Sequence, residues 1–175
     1  MNNKDNISER LSNIRLLAMD VDGTLTDSTM YYSAKGEELK RFSTRDGMGI
    51  TLLKLGGIST AFITSENSPI VTARAEKLSI EYVIIGCRDK STAISNLAES
   101  NDLKLSEIAY IGDDINDEHV MKIVGFSACP NDAVDVIKKT ANYICESLGG
   151  QGAVREFAEL ILMAQNKKIN IQEQW

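Results

Sequence analysis

Apolar residues fall in short runs of strand length, separated by amphipathic stretches long enough for helices. That alternation predicts a three-layer α/β sandwich with a mainly parallel, Rossmann-like sheet. The runs are Ile14 to Met19, Ser59 to Ile63, Tyr82 to Ile85, Ile108 to Ile111 and Phe126 to Cys129, and their continuity suits strands covered on both faces. Helices are expected at Asp46 to Leu55, Pro69 to Leu78, Lys90 to Ser100, Asn116 to Val124, Ala133 to Lys139 and Ala153 to Gln165. One section breaks the alternation. Met30-Tyr31-Tyr32-Ser33 and Leu39-Lys40-Arg41-Phe42 flank Lys35-Gly36, which predicts a β-hairpin over 30–42 that projects from the sheet. Residues 1–175 are expected to form one domain, with flexible polar ends over 1–12 and 166–175.

Two acidic turns follow apolar strands. Asp20-Val21-Asp22-Gly23-Thr24 comes directly after Ile14 to Met19, and strand periodicity sends side chains i and i+2 the same way. Two carboxylates facing one crevice are costly unless a cation or a shared proton relieves them, so the pair implies a metal site, an acid/base couple, or both. An EF-hand calcium loop does not fit. Gly23 comes too early, and Tyr31 stands where the bidentate glutamate is needed. Gly112-Asp113-Asp114-Ile115-Asn116-Asp117 follows Ile108 to Ile111 and belongs to the same carboxyl edge of the sheet, where open α/β sheets bind ligands. Alone it also reads as a helix N-cap with favourable dipole charges. Beside Asp20 and Asp22 it becomes a candidate Mg2+ cage of hard oxygen donors. Thr64, just past Ser59 to Ile63, offers a hydroxyl and backbone amides at that edge, and Lys90 offers a point charge for phosphate. Each has a plain alternative, a turn threonine and a solvated lysine.

Charge narrows the ligand class. A net charge of −6 does not provide the basic face that nucleic-acid binding requires, so no nucleic-acid partner is expected, whereas a small anionic ester needs only a few local cations. The three cysteines form no Cys-x-x-Cys pair and read as reduced core thiols. Neither a signal-like N-terminus nor a membrane-length apolar run is present, and a cytoplasmic enzyme without a membrane partner is expected. His119, the lone histidine, reads as a surface residue.

The ordered set Asp20-Val-Asp-Gly-Thr, Thr64, Lys90 and Gly-Asp113-Asp114-x-x-Asp117 resembles the haloacid dehalogenase superfamily of phosphatases. The resemblance implies a nucleophile at Asp20, a general acid and then base at Asp22, phosphate ligands at Thr64, Ser65 and Lys90, and Mg2+ held by Asp20, Asp113 and the main-chain carbonyl of Asp22. Asp114 and Asp117 are expected to orient Lys90 or metal-bound water. The chain has no room for the cap domain common in that superfamily. Neighbouring subunits are therefore expected to cover the site, with the hairpin as the contact.

Phe42-Ser-Thr-Arg-Asp-Gly-Met-Gly-Ile50 and Gly149-Gly-Gln-Gly-Ala-Val-Arg-Glu156 resemble the capless 3-deoxy-D-manno-octulosonate 8-phosphate phosphatases, which implies a homotetramer and places Arg155 and the glycine loop at the border of the substrate pocket. The glycine stretch also reads as a plain connecting loop. One departure concerns selectivity. Family members of that type commonly carry Gly-Arg after the motif threonine, whereas this chain has Ser65-Glu66. Glu66, with Arg74 and Lys77, looks more like relatives acting on nine-carbon ulosonate 9-phosphates, and Glu66 also reads as an exposed helix-entry acid. The expected substrate is a phosphorylated 2-keto-3-deoxy sugar acid of eight or nine carbons. A second reading is a non-catalytic assembly domain like those ending some acylneuraminate cytidylyltransferases, against which stand Asp20, Asp22, Lys90 and Asp113.

Overall fold

The computed structural model describes residues 3–169. In chain order its elements are α1 (Asn3–Ser12), β1 (Leu16–Met19), β2 (Thr26–Ser33), β3 (Gly36–Phe42), α2 (Thr44–Leu55), β4 (Ser59–Ile63), α3 (Pro69–Leu78), β5 (Tyr82–Ile84) and α4 (Lys90–Ser100). Then follow β6 (Ile108–Ile111), α5 (Glu118–Ile123), β7 (Phe126–Cys129), α6 (Asp135–Thr140), β8 (Tyr143–Ile144) and α7 (Ala153–Ala164). Six strands make a parallel sheet in the order β5-β4-β1-β6-β7-β8, while β2 and β3 pair antiparallel as a separate ribbon. The α/β class and the hairpin expected from the periodicity are both present.

Alternation along the strands explains the layers. Leu17, Met19, Phe62, Ala109 and Ile111 face one side and pack with α1, α2 and α7, whereas Leu16, Ala18, Ala61, Ile63, Ile108 and Tyr110 face the other and pack with α4, α5 and α6. Helix α7 buries Val154, Phe157, Ala158, Ile161 and Leu162, a helical stripe at intervals of three and four residues. Each large side chain in such a stripe contributes roughly 1.5–3 kcal/mol by leaving water.

β1 lies between β4 and β6, with Met19 level with Phe62 on one side and Ile111 on the other. Asp20, Thr64 and Asp113 therefore emerge from three adjacent strands at one edge.

Several local expectations change. Residues 1–12 are not a loose end throughout: Asn3–Ser12 is helical, Leu11 is fully buried, and Ile7 packs against the core. Arg10 explains the docking of so polar a segment. Its guanidinium donates to Asn142 Oδ1 at 2.9 Å and to the Gly125 carbonyl, and lies 5.0 Å over the Phe126 ring. The expected helix over Asn116 to Val124 splits into a tight turn, Ile115–Asp117, and the short α5, because the Asp114 and Asp117 side chains capture backbone N–H groups at its start. Helix α6 begins later than expected because Ala133 N closes a turn on the Pro130 carbonyl. Strand β8, with two residues, is too short to register as periodicity. Cys129 and Cys145 are core thiols as expected, but Cys87 is only half-buried. Of the expected flexible tail, residues 170–175 lie outside the described part. No helix among the described residues is long and apolar enough to cross a membrane.

Candidate active site

Asp20 leaves the buried end of β1 with its amide donating to the Ile111 carbonyl at 2.9 Å, and only 4% of its surface is exposed. Gly23 makes the following turn at φ +90°, a conformation that strains any residue with a Cβ. It also gives room. A Cβ at position 23 would stand 2.0 Å from Asp113 Oδ2, so the second acidic turn rests directly on the backbone of the first. Thr24 Oγ1 completes the seam by donating to Asp113 Oδ1 at 3.1 Å.

Lys90 opens α4 with a fully buried side chain, and its ammonium donates to Asp20 Oδ1 and Asp117 Oδ1, both at 2.6 Å. Burial works to lower its affinity for a proton, but the two carboxylates outweigh it and hold the lysine above its ordinary value. Asp117 is saturated. Its Oδ1 also accepts from Tyr110 Oη at 2.7 Å, and its Oδ2 from the amides of Asp113 and Asp114 at 2.9 and 3.3 Å. Asp114 instead caps its own turn by accepting from Ile115 N, and lines the pocket.

The concavity above Asp20 is lined by Asp22, Met30, Thr64, Ser65, Glu66, Asp114, Ile115 and Asn116. Thr64 is buried and accepts from Glu66 N at 3.1 Å, which aims the loop after β4 at the rim. Asn116 donates to Ser65 Oγ at 3.3 Å across that rim. Asp22 Oδ1 accepts from Lys40 Nζ of the hairpin at 2.5 Å, and its Oδ2 has no partner among the described residues.

The donor chemistry fits a hard divalent cation. One oxygen each of Asp20, Asp113 and Asp117 lies within 4.8 Å of the others, and because Asp117 is fully bonded to protein donors, Asp20 and Asp113 remain as ligands. Burial first, then the carboxylate of Asp117, raises Asp20 against the pull of Lys90; burial, then Asp20 and Asp117, raises Asp113. Acids raised in the fold stabilise it while protonated, and that contribution is lost as pH climbs through the raised values. A cation binds the deprotonated pair, so the gain in melting temperature on adding Mg2+ is expected to grow from mildly acidic to mildly alkaline pH. A scanning-fluorimetry series in which the gain is flat or shrinks with pH would place the ion elsewhere.

Three expected substrate residues do not line this pocket within one chain. Arg74 lies 5.4 Å over the Phe42 ring and donates to the Ser43 carbonyl. Lys77 is exposed on α3. Arg155 pairs with Glu159 on α7, in a groove with Leu52 and Leu162. The glycine loop turns inward, where Gly150 N donates to the Thr24 carbonyl at 2.9 Å and backs the nucleophile turn. Conversely, sequence reasoning did not single out Tyr110, Lys40 or Glu37. For Tyr110 a signal existed, since a hydroxyl inside an otherwise apolar strand needs a buried partner.

The chain is similar to proteins of known family. Residues 57–157 match the haloacid dehalogenase-like hydrolase family model. The chain is 41% identical to 3-deoxy-D-manno-octulosonate 8-phosphate phosphatase of Yersinia pestis over 93% of its own length and 87% of the relative. The crystal structure of the Moraxella catarrhalis phosphatase of that name, in complex with magnesium, phosphate and a KDO molecule, superposes with a TM-score of 0.90 at 41% identity, covering 93% of each chain. The cobalt-bound Haemophilus influenzae protein gives 0.88 at 36% identity, covering 90% of this chain and 92% of that one.

Proposed function

We propose a reaction for this chain from one premise: it belongs to the haloacid dehalogenase-like hydrolases, within their capless 3-deoxy-D-manno-octulosonate 8-phosphate phosphatase family, and is a magnesium-dependent phosphoric monoester hydrolase. Its substrate in this reading is the phosphate ester of a 2-keto-3-deoxy sugar acid, with 3-deoxy-D-manno-octulosonate 8-phosphate first.

A carboxylate oxygen of Asp20 attacks phosphorus, the bond from phosphorus to the sugar oxygen breaks, and the proton of Asp22 goes to that oxygen. Asp22, now ionised, takes a proton from water as the water oxygen attacks phosphorus. The bond to Asp20 then breaks, releasing inorganic phosphate. Magnesium held by Asp20, Asp113 and the main-chain carbonyl of Asp22 would supply positive charge beside the phosphate oxygens. Lys90 adds a second cation, Thr64 and Ser65 offer hydroxyl and amide donors, and Asp117 keeps Lys90 on Asp20. The observation carrying this reading is the meeting of Asp20, Asp113 and Lys90 in one buried cluster beneath a polar pocket.

The hairpin supports the homotetramer. Met30, Tyr31, Tyr32 and Leu39 are 37%, 49%, 66% and 63% exposed, an apolar surface suited to a second copy. Subunits meeting there would also close a pocket that one chain leaves open, and would give Arg74, Lys77 and Arg155, which do not line it within one chain, a route to substrate.

Glu66 favours a second reading of chain length. It lines the pocket with its carboxylate exposed, where an arginine would otherwise meet the substrate's own carboxylate. Steady-state kinetics on eight- and nine-carbon ulosonate phosphates should show a clear kcat/KM preference, and Glu66→Arg should move it towards the eight-carbon ester by roughly 10-fold. A preference unmoved by that exchange removes Glu66 from selectivity. Turnover of neither ester removes the substrate class.

A further inference from the structure

The hairpin carries a buried cation that the reaction above does not use. Lys40 lies on β3, its side chain fully excluded from solvent, with its ammonium 2.5 Å from Asp22 Oδ1 and 2.7 Å from Glu37 Oε1. Glu37 in turn accepts from the hydroxyl of Ser68, the residue preceding α3. One lysine thus ties together the nucleophile turn, the hairpin and the loop that follows Thr64. A charged amine taken wholly out of water is retained only where its partners are well placed, so the three groups fix one another's rotamers.

The consequence falls on Asp22. A carboxylate after a strand turns about its last bond with little resistance, and a general acid must present one oxygen to the leaving group within hydrogen-bond reach. Lys40 engages Oδ1. Oδ2 is itself shielded from solvent and has no partner among the described residues, in a residue whose side chain lines the pocket. We infer that Lys40 is the positioning residue for proton delivery: it acts through Asp22, fixing the orientation of the carboxyl from which the proton goes to the departing sugar oxygen, and it does not touch substrate. The inference rests on the phosphatase reading and on Asp22 as its acid.

Esters with different needs for a proton separate this role from a structural one. An alkyl phosphate requires protonation as its oxygen leaves, whereas p-nitrophenyl phosphate expels a stabilised anion. Because kcat/KM reports only the steps through departure of the leaving group, the ratio of kcat/KM for the alkyl ester to that for the aryl ester reads the acid alone. In Lys40→Met the ratio is expected to fall about 30-fold, towards the value for Asp22→Asn. In the double variant it should fall no further than in Asp22→Asn. Glu37→Ala, which keeps the lysine and loosens it, should lower the ratio about 3-fold and carries the test if Lys40→Met does not fold. A ratio unchanged in whichever of these variants fold, even with both esters slowed, overturns the inference. The phosphatase reading is tested separately, by Asp20→Asn: turnover persisting there would remove that reading instead.

Discussion

Replacing Asp20 by Asn is expected to lower kcat on any phosphate monoester by a factor on the order of 10⁴ or more, while raising the melting temperature of the metal-free protein. The two effects have one origin. Asp20 is almost fully buried and stands beside Asp113 and Asp117, so its charge is unfavourable for folding although it is required for attack on phosphorus. An amide keeps the shape, ends the nucleophilicity and relieves the repulsion, and Lys90 retains Asp117 as partner. Addition of Mg2+ should shift the variant's melting point less than the wild type's, because one ligand is gone. Phosphate-release assays and thermal melts on the same preparations check both halves. Retained turnover would contradict the covalent route, and a melting point that drops would contradict the electrostatic account of the cluster.

Removing the cation instead has the opposite sign. Lys90→Met is expected to destabilise the metal-free protein by about 3–5 kcal/mol at neutral pH, since it strands two carboxylates in the interior. Lys90 is held above its ordinary value despite burial, so its own stabilising contribution persists through neutrality and fades only at strongly alkaline pH. In the variant, acidification should recover part of the loss as Asp20, already raised by burial, takes up a proton. Urea denaturation at two pH values measures this, and equal losses at both would show that the lysine contributes packing rather than charge. Activity should fall in parallel, because Lys90 touches the nucleophile itself at 2.6 Å.

Much of this was legible in local pattern. The runs after which Asp20, Thr64 and Asp113 occur are strands because nearly every residue in them is apolar, and a parallel sheet brings their carboxyl ends to one edge whatever lies between. Strand periodicity pairs Asp20 with Asp22, but both lie past the end of β1, and the turn through Gly23 sets their geometry. What stayed hidden is the choice of distant partner. Nothing in Leu39-Lys40-Arg41 distinguishes the lysine that ends at Asp22 from the neighbouring arginine that pairs with Asp27 at the surface. Helix α1 was hidden for a related reason. Its own residues are polar, and its place is set by Arg10 reaching Gly125 and Asn142, far along the chain. Arg74, Lys77 and Arg155 were legible as local cations, and resemblance alone put them at the substrate; within one chain Arg74 lies over Phe42 and Arg155 pairs with Glu159.

The glycine loop before α7 has a consequence for how the molecule tolerates change. A methyl group at position 149 would stand 1.9 Å from the Gly23 carbonyl oxygen, and one at position 150 would meet the Thr26 carbonyl carbon at 2.5 Å. Main chain therefore abuts main chain with no side chain between to act as a shim, and the seam works as a fixed spacer for the catalytic turn. A side chain at 149 or 150 presses on Gly23 and Thr26, in the turn that follows Asp22, so change at those two positions must be matched by rebuilding of the turn they support.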